Sequence, residues 1–374
     1  MRRRQFALLA IVLVLLGAAV YSLTRPHPEK TLDLTLVSGG YRLDKIYRSM
    51  EGPWSVQRGI QLAPDSSSAF HNSQSAIRNS VVWITGLDMQ VVDATKQTPV
   101  SREFFCHSNL TFAEENNRAD KPNDQLGAKM QLAGRLFTLV PGRLSIELPP
   151  GFGVQVPSDA LLDYVTMSLN LNPRNEVVNV RMRTKLHAIA GDQPGAPTKA
   201  LFRRAVYVLQ REGGTPGAHR ACMAKPGVEH SGAGCGEWTK VNIPNGSTML
   251  VPSEGMTNHW TVPRGPHIYK TDITPQLNLP FDTTIHYATI HVHPFARGVE
   301  LRDLTTGETI LRLNSQDWPD RIGVAHVDEF KSVEGIPIFR NHRYELSAEY
   351  DNTSGSNTDA MAILYLYLLE KARI

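Results

Sequence analysis

Apolar and polar residues alternate along most of this chain in short runs. The stretch SVVWITGLDMQVVD (80–93) does so almost throughout, and VNVRMRTKLHAIA (178–190) does so from end to end. A period of two puts successive side chains on opposite faces, which is the pattern of a half-buried strand. The same reading holds for REFFCHSNLTF (102–112), GRLFTLVPGRLSIELP (134–149) and LLDYVTMSLNLN (161–172). In the second half it holds for FRRAVYVLQ, HWTVPRGPHIYKTDIT, TTIHYATIHVHPFARGVELRDLTTGETI, HRYELSAEYDN and AMAILYLYLLEK. DLTTGE (303–308) is a turn signal between two such runs and predicts a hairpin. No stretch carries the 3.6-residue period of an amphipathic helix.

The expected fold class is therefore all-β. The Pro/Gly-rich stretch AGDQPGAPTKAL (190–201) divides the runs into two sets. Two tandem antiparallel β-sandwich domains, jelly-roll-like, are expected over 30–195 and 200–374. The 24 prolines and 28 glycines suit so many turns. At 374 residues the chain has the length for two ordinary cores.

Ahead of the strands stands a different pattern. Arg2, Arg3 and Arg4 precede an apolar run from Phe6 to Leu23. Residues 1–24 read as a signal peptide or a membrane anchor, which sends the rest out of the cytoplasm, to the periplasm or beyond. The 39 Lys and Arg residues against 36 Asp and Glu give a net charge of only +3, with no basic stripe, so nucleic acid is not an expected partner.

Three cysteines are present. Cys222 and Cys235 bracket a Gly-rich loop that a disulfide could close, and His219 and His230 interleave with them. Cys106 is left over, beside His107. The densest chemistry is IHYATIHVHPFA (285–296). On a strand His291 and His293 point the same way, with Cα atoms roughly 7 Å apart, close enough for two imidazoles to meet one ion. The alternative is a pair of solvated or core-edge histidines. His286 has the opposite parity and reads as a supporting or packing residue. A cupin would need a glutamate closer than Glu300 and a glycine ahead of His291, and neither is there. Met361 follows Asp359 at the start of an apolar strand. Two imidazoles with one thioether would favour copper over zinc or magnesium.

The order IHYATIHVH, ELRDLTTGE, G-x-P-x-x-R-N-H-R-Y-E-L-x-A-x-Y and DAMAILYLY resembles the C-terminal domain of the copper type II, ascorbate-dependent monooxygenases, the peptidylglycine α-hydroxylating and dopamine β-monooxygenase family. The resemblance runs from about Trp260 to Leu369 and extends more faintly into LPPGFGVQVPSDALLDYVTMSLNLN. It implies two sandwiches facing each other across a solvent cleft. It also implies one copper ion held by His291, His293 and Met361, where O2 is activated with electrons from ascorbate or another external donor.

The departures from that family change the expected chemistry. Its first domain holds a second copper on three histidines. Here those places fall on Cys106, His107 and Asn170, so His107 and Cys106 are lesser metal candidates and His107 reads as structural. The family's carboxylate-binding Arg, Asn and Tyr fall on Thr289, Ile363 and Tyr365. Only Tyr365 remains to line a substrate cleft, and a peptide carboxylate loses its bidentate partner. The family reaction draws one electron from each of two coppers, and one site supplies one. The expected function is an exported copper-binding protein, either a mononuclear oxidoreductase that hydroxylates an unnamed substrate with O2 or a non-catalytic copper-binding or envelope interaction protein.

Overall fold

A computed structural model describes residues 31–49, 51–62, 81–112, 134–158, 160–211 and 256–371. The 1–24 segment and the Cys222–Cys235 loop with His219 and His230 lie outside these residues. Among the described residues no helix is long and apolar enough to cross a membrane.

The fold is an all-β sandwich architecture, as the two-residue period predicts. The strand Val178–Ala190 shows how that period becomes structure. Val180, Met182, Thr184, Leu186 and Ala188 are all buried, while Asn179 and Lys185 between them are exposed. The strand runs antiparallel to Thr31–Val37 on one side and to Val81–Asp93 on the other. Thr31–Val37, ahead of the first alternating run, is thus an edge strand.

Three sheets carry the molecule. The largest has ten strands, with the main order Thr31–Val37, Val178–Ala190, Val81–Asp93, Phe152–Pro157, Lys199–Tyr207, Ala362–Leu369, Thr283–Val292 and Glu329–Ile338. A four-stranded sheet, Trp54–Gln61, Leu161–Ser168, Phe105–Phe112 and Arg135–Leu139, covers its N-terminal part. The core between them holds Leu110, Phe137, Leu162 and Tyr164 against Ile84, Leu87 and Met182. A five-stranded sheet, Gly265–Asp272, Tyr344–Asn352, Ala296–Asp303, Thr309–Asp317 and Val324–Val327, covers the C-terminal part. Its core sets Val299, Leu301, Leu346 and Ala348 against Ile285, Ile290, Leu364 and Leu366. The predicted hairpin is present, with Asp303 Oδ1 accepting from the Thr305 and Thr306 amides and Gly307 at φ 80° closing the turn.

The two halves are joined by backbone. The 190–201 stretch makes a turn and then enters Lys199–Tyr207, which pairs antiparallel with Ala362–Leu369 and, over Lys199↔Phe152 and Ala200↔Gly153, parallel with Phe152–Pro157. Tyr287 and Tyr367 of the second half pack into the first core, where Tyr367 stands against Phe137 with ring centroids 5.4 Å apart. One face of the Thr283–Val292 strand therefore looks at the first half.

Candidate metal centre

That face is set by register. Tyr287 opposes Tyr367, Thr289 opposes Tyr365 and His291 opposes Ile363 on the neighbouring strand Ala362–Leu369. Opposed residues share a face of an antiparallel pair, so His291 follows Tyr287 and Thr289 toward the first half. His293 lies just beyond the strand's end, and its amide donates to the Met361 carbonyl at 3.3 Å. The same carbonyl accepts from the Tyr350 hydroxyl at 2.7 Å. His291 and His293 come together as predicted, with ring centroids 5.5 Å apart.

A second strand pair meets them. Trp260–Val262 runs antiparallel to Thr358–Ala360, with Thr261 opposite Asp359 and Trp260 opposite Ala360. His259 immediately precedes the paired stretch and Met361 immediately follows it. Asp359 then reaches both histidines. Its Oδ1 is 3.3 Å from His259 Nδ1 and its Oδ2 is 3.0 Å from His293 Nδ1. Ser49 of the first half also donates to Oδ2, at 3.0 Å. The ligand atoms of His259, His293 and Asp359 lie within 4.8 Å of one another. The sequence reading singled out neither His259 nor Asp359 as a donor. The signal was a lone histidine a hundred residues upstream of its carboxylate, and only strand pairing makes them neighbours.

The first half supplies a fourth imidazole. His107 sits on Phe105–Phe112, just after a register shift between Phe105 and His107. Its ring lies 6.0 Å from that of His291 and 5.2 Å from Trp54, edge-on to both. Cys106 Sγ is 3.3 Å from His107 Nδ1. Where the resemblance implies a solvent cleft, these rings meet in the interior, His107 at 9% exposure and His291 at 3%. Asn170, at the family's third position, instead spends its amide on the Lys45 carbonyl at 2.8 Å.

Burial decides the charge state of the cluster. It pulls His107 down to about 3, helped by Arg135 and by the neighbouring imidazoles. It holds His291 well below the usual histidine range, with His293, His107 and His259 pushing the same way. Burial pushes the Cys106 thiol up to about 12, so without a metal ion Cys106 is a neutral thiol at neutral pH. Burial also works against the Asp359 carboxylate, but His293 and His259 outweigh it and leave that group well below the usual range. His107 and His291 are thus neutral rings, near the Asp359 anion.

Neutral imidazole nitrogens are metal ligands. His291 Nδ1 is buried and has no hydrogen-bond partner in the structure. An unmet buried polar atom of this kind costs roughly 1–3 kcal/mol, which an ion at that nitrogen would recover. The donors present therefore fit a transition-metal ion. His286 takes no part. It sits at a bulge, between Thr284 Oγ1 at 2.7 Å and the Ser332 carbonyl at 3.0 Å, with its ring 4.2 Å from Phe152. Tyr365, expected to line a substrate cleft, is buried at 3% exposure beneath the Arg203 guanidinium, 4.5 Å from its ring.

No protein-family model and no curated protein matches this chain. Among solved structures it is similar to the infectious bursal disease virus Gx strain at 8% identity, covering 93% of this chain and 73% of that one with a TM-score of 0.20. A mutant VP2 protein of infectious bursal disease virus gives 8% identity over 92% and 71% of the two chains, with a TM-score of 0.18. Likeness at this level carries no argument about the present chain.

Proposed function

We propose that this chain is an exported copper-binding protein that holds one ion at His291 and His293, with Met361 beside them as the resemblance to the copper monooxygenases implies. The observation that carries this reading is the His291 Nδ1 atom, buried without a partner on a ring that burial keeps neutral. His291 and His293 supply the imidazole nitrogens. The bound ion would supply a site for electron transfer or for tight retention of the metal itself. The Tyr350 hydroxyl and the His293 amide, both on the Met361 carbonyl, fix the backbone that carries the thioether.

Holding the ion is favoured over hydroxylation by one feature of the site. The rings of His107, His259, His291 and His293 are all less than a tenth exposed, which leaves no open approach for a substrate to their nitrogens. The mononuclear oxidoreductase is the second reading. Copper titration of the full-length chain separates both from a metal-free sandwich. About one copper per chain is expected, abolished by His291→Ala and sharply weakened by His293→Ala. Full copper at unchanged affinity in both variants would end the metal reading. If the loaded protein consumes O2 with ascorbate and releases a hydroxylated product, the holding reading gives way to the enzyme.

A further inference from the structure

We infer that His259 and Asp359 are further ligands of the ion held by His291 and His293, which makes the site a three-imidazole, one-carboxylate set for a divalent cation. The inference rests on the metal reading above and adds two donors to it.

Three observations carry it. The first is spacing. A tetrahedral ion with bonds of about 2.1 Å needs its donors roughly 3.4 Å apart. The Asp359 oxygens stand 3.0 Å from His293 Nδ1 and 3.3 Å from His259 Nδ1, and the three residues' ligand atoms all fall within 4.8 Å. The second is rigidity. Asp359 lies in Thr358–Ala360, paired with the strand that starts at Trp260, and His293 is tied by its amide to Met361, two residues past Asp359. One donor thus stands on a strand and His259 and His293 each lie one residue from a strand end, close to the rigid elements that a site of defined geometry uses. The third is burial. His259 and His293 are each 6% exposed, whereas the Asp359 side chain keeps 41% of its surface, so the carboxylate is the side from which an ion can enter.

The carboxylate changes which ion the site prefers. Two imidazoles and a thioether are neutral and soft, and suit Cu+. Adding one oxygen anion puts a negative charge beside the ion and moves the preference toward Zn2+, Co2+ and Cu2+. The bland alternative is that Asp359 only bridges two histidines, as an ion pair that steadies the junction.

The test uses the full-length chain stripped of metal, with Zn2+ and Cu+ each titrated against a competing chelator. Asp359→Asn and His259→Gln should each lower Zn2+ affinity by roughly tenfold to a hundredfold while moving Cu+ affinity by less than about threefold. Unchanged Zn2+ affinity in both variants, with loss in His293→Ala, would overturn this inference and leave the metal reading standing. A wild-type chain that takes up neither ion would overturn both. A readout on the unaltered protein guards against a variant that fails to fold. X-ray absorption of the Zn2+-loaded wild type should require an oxygen and at least two imidazoles, and a shell of imidazole and sulfur alone would contradict the proposal.

Discussion

Every histidine of the central cluster is buried, and burial is what makes each one a potential ligand. An exposed imidazole near its ordinary pKa competes with protons for the ion, whereas His107 and His291 are kept neutral by their surroundings. Parity told in advance that His291 and His293 would converge. It could not tell that His259 and Asp359 would join them, because that needs the pairing of two strands a hundred residues apart. A second buried group sits close by. Asp317 accepts from the Phe295 amide at 2.9 Å through Oδ2, while its Oδ1 is buried without a partner. Burial raises its carboxyl from 3.8 to about 6, against the pull of that amide and of Arg297. The folded state therefore holds the Asp317 proton more tightly than the unfolded chain does. The stability this gives is full below about pH 4 and is lost as pH rises through about 6. Asp317→Asn should thus be more stable than wild type at pH 7.5, by roughly 1–2 kcal/mol, and no more stable at pH 3.5. Urea denaturation at the two pH values measures it, and an equal gain at both would contradict the assignment.

At the level of elements, alternation located Val81–Asp93, Val178–Ala190 and Tyr344–Asn352, because a half-buried strand writes its exposure directly into its sequence, and it missed Thr31–Val37 and Trp54–Gln61. It was silent on Glu329–Ile338, which pairs with the histidine strand from its open side. That strand carries Lys331, Glu334, Gly335 and Pro337, the residues that blunt a sheet edge. Its inward residues Phe330, Ile336 and Ile338 pack on the second core, but Ser332 and Glu334 interrupt them and break the pattern. Arg102–Phe104, expected as strand, is a single 3-10 turn capped by the Ser101 hydroxyl. The turn at Gly142 shows how closely the halves meet. Gly142 has φ 80°, and a Cβ there would lie 2.7 Å from the His326 carbonyl carbon and 2.8 Å from the Val327 nitrogen. Beside it, Arg143 donates to the Val327 carbonyl at 2.8 Å and pairs with Glu329 at 3.2 Å. Both neighbours are backbone of the second half and cannot swing aside. Gly142→Ala should cost roughly 3 kcal/mol from the left-handed backbone and the clash together. A change in urea midpoint equivalent to less than about 0.5 kcal/mol would show that the contact yields.

For the molecule as a whole, the two halves share one ten-stranded sheet and bring their histidines to one place. The parallel pairing of Lys199–Tyr207 with Phe152–Pro157 was not legible in the sequence, since two ladder pairs leave no pattern of their own. His107 read as a structural remnant because its family partners fall on Cys106 and Asn170. Its nearest imidazole instead comes from the other half, at a ring separation of 6.0 Å. One centre at the seam of the sandwiches, rather than two centres across a cleft, is what this arrangement supports. Crystals of the full chain soaked in copper and measured at the copper absorption edge test this most directly. A single anomalous peak per chain is expected, within coordination distance of His291 and His293, roughly 2 Å from a nitrogen of each. Two peaks, with one on His107 apart from His291, or a single peak away from both residues, would contradict it.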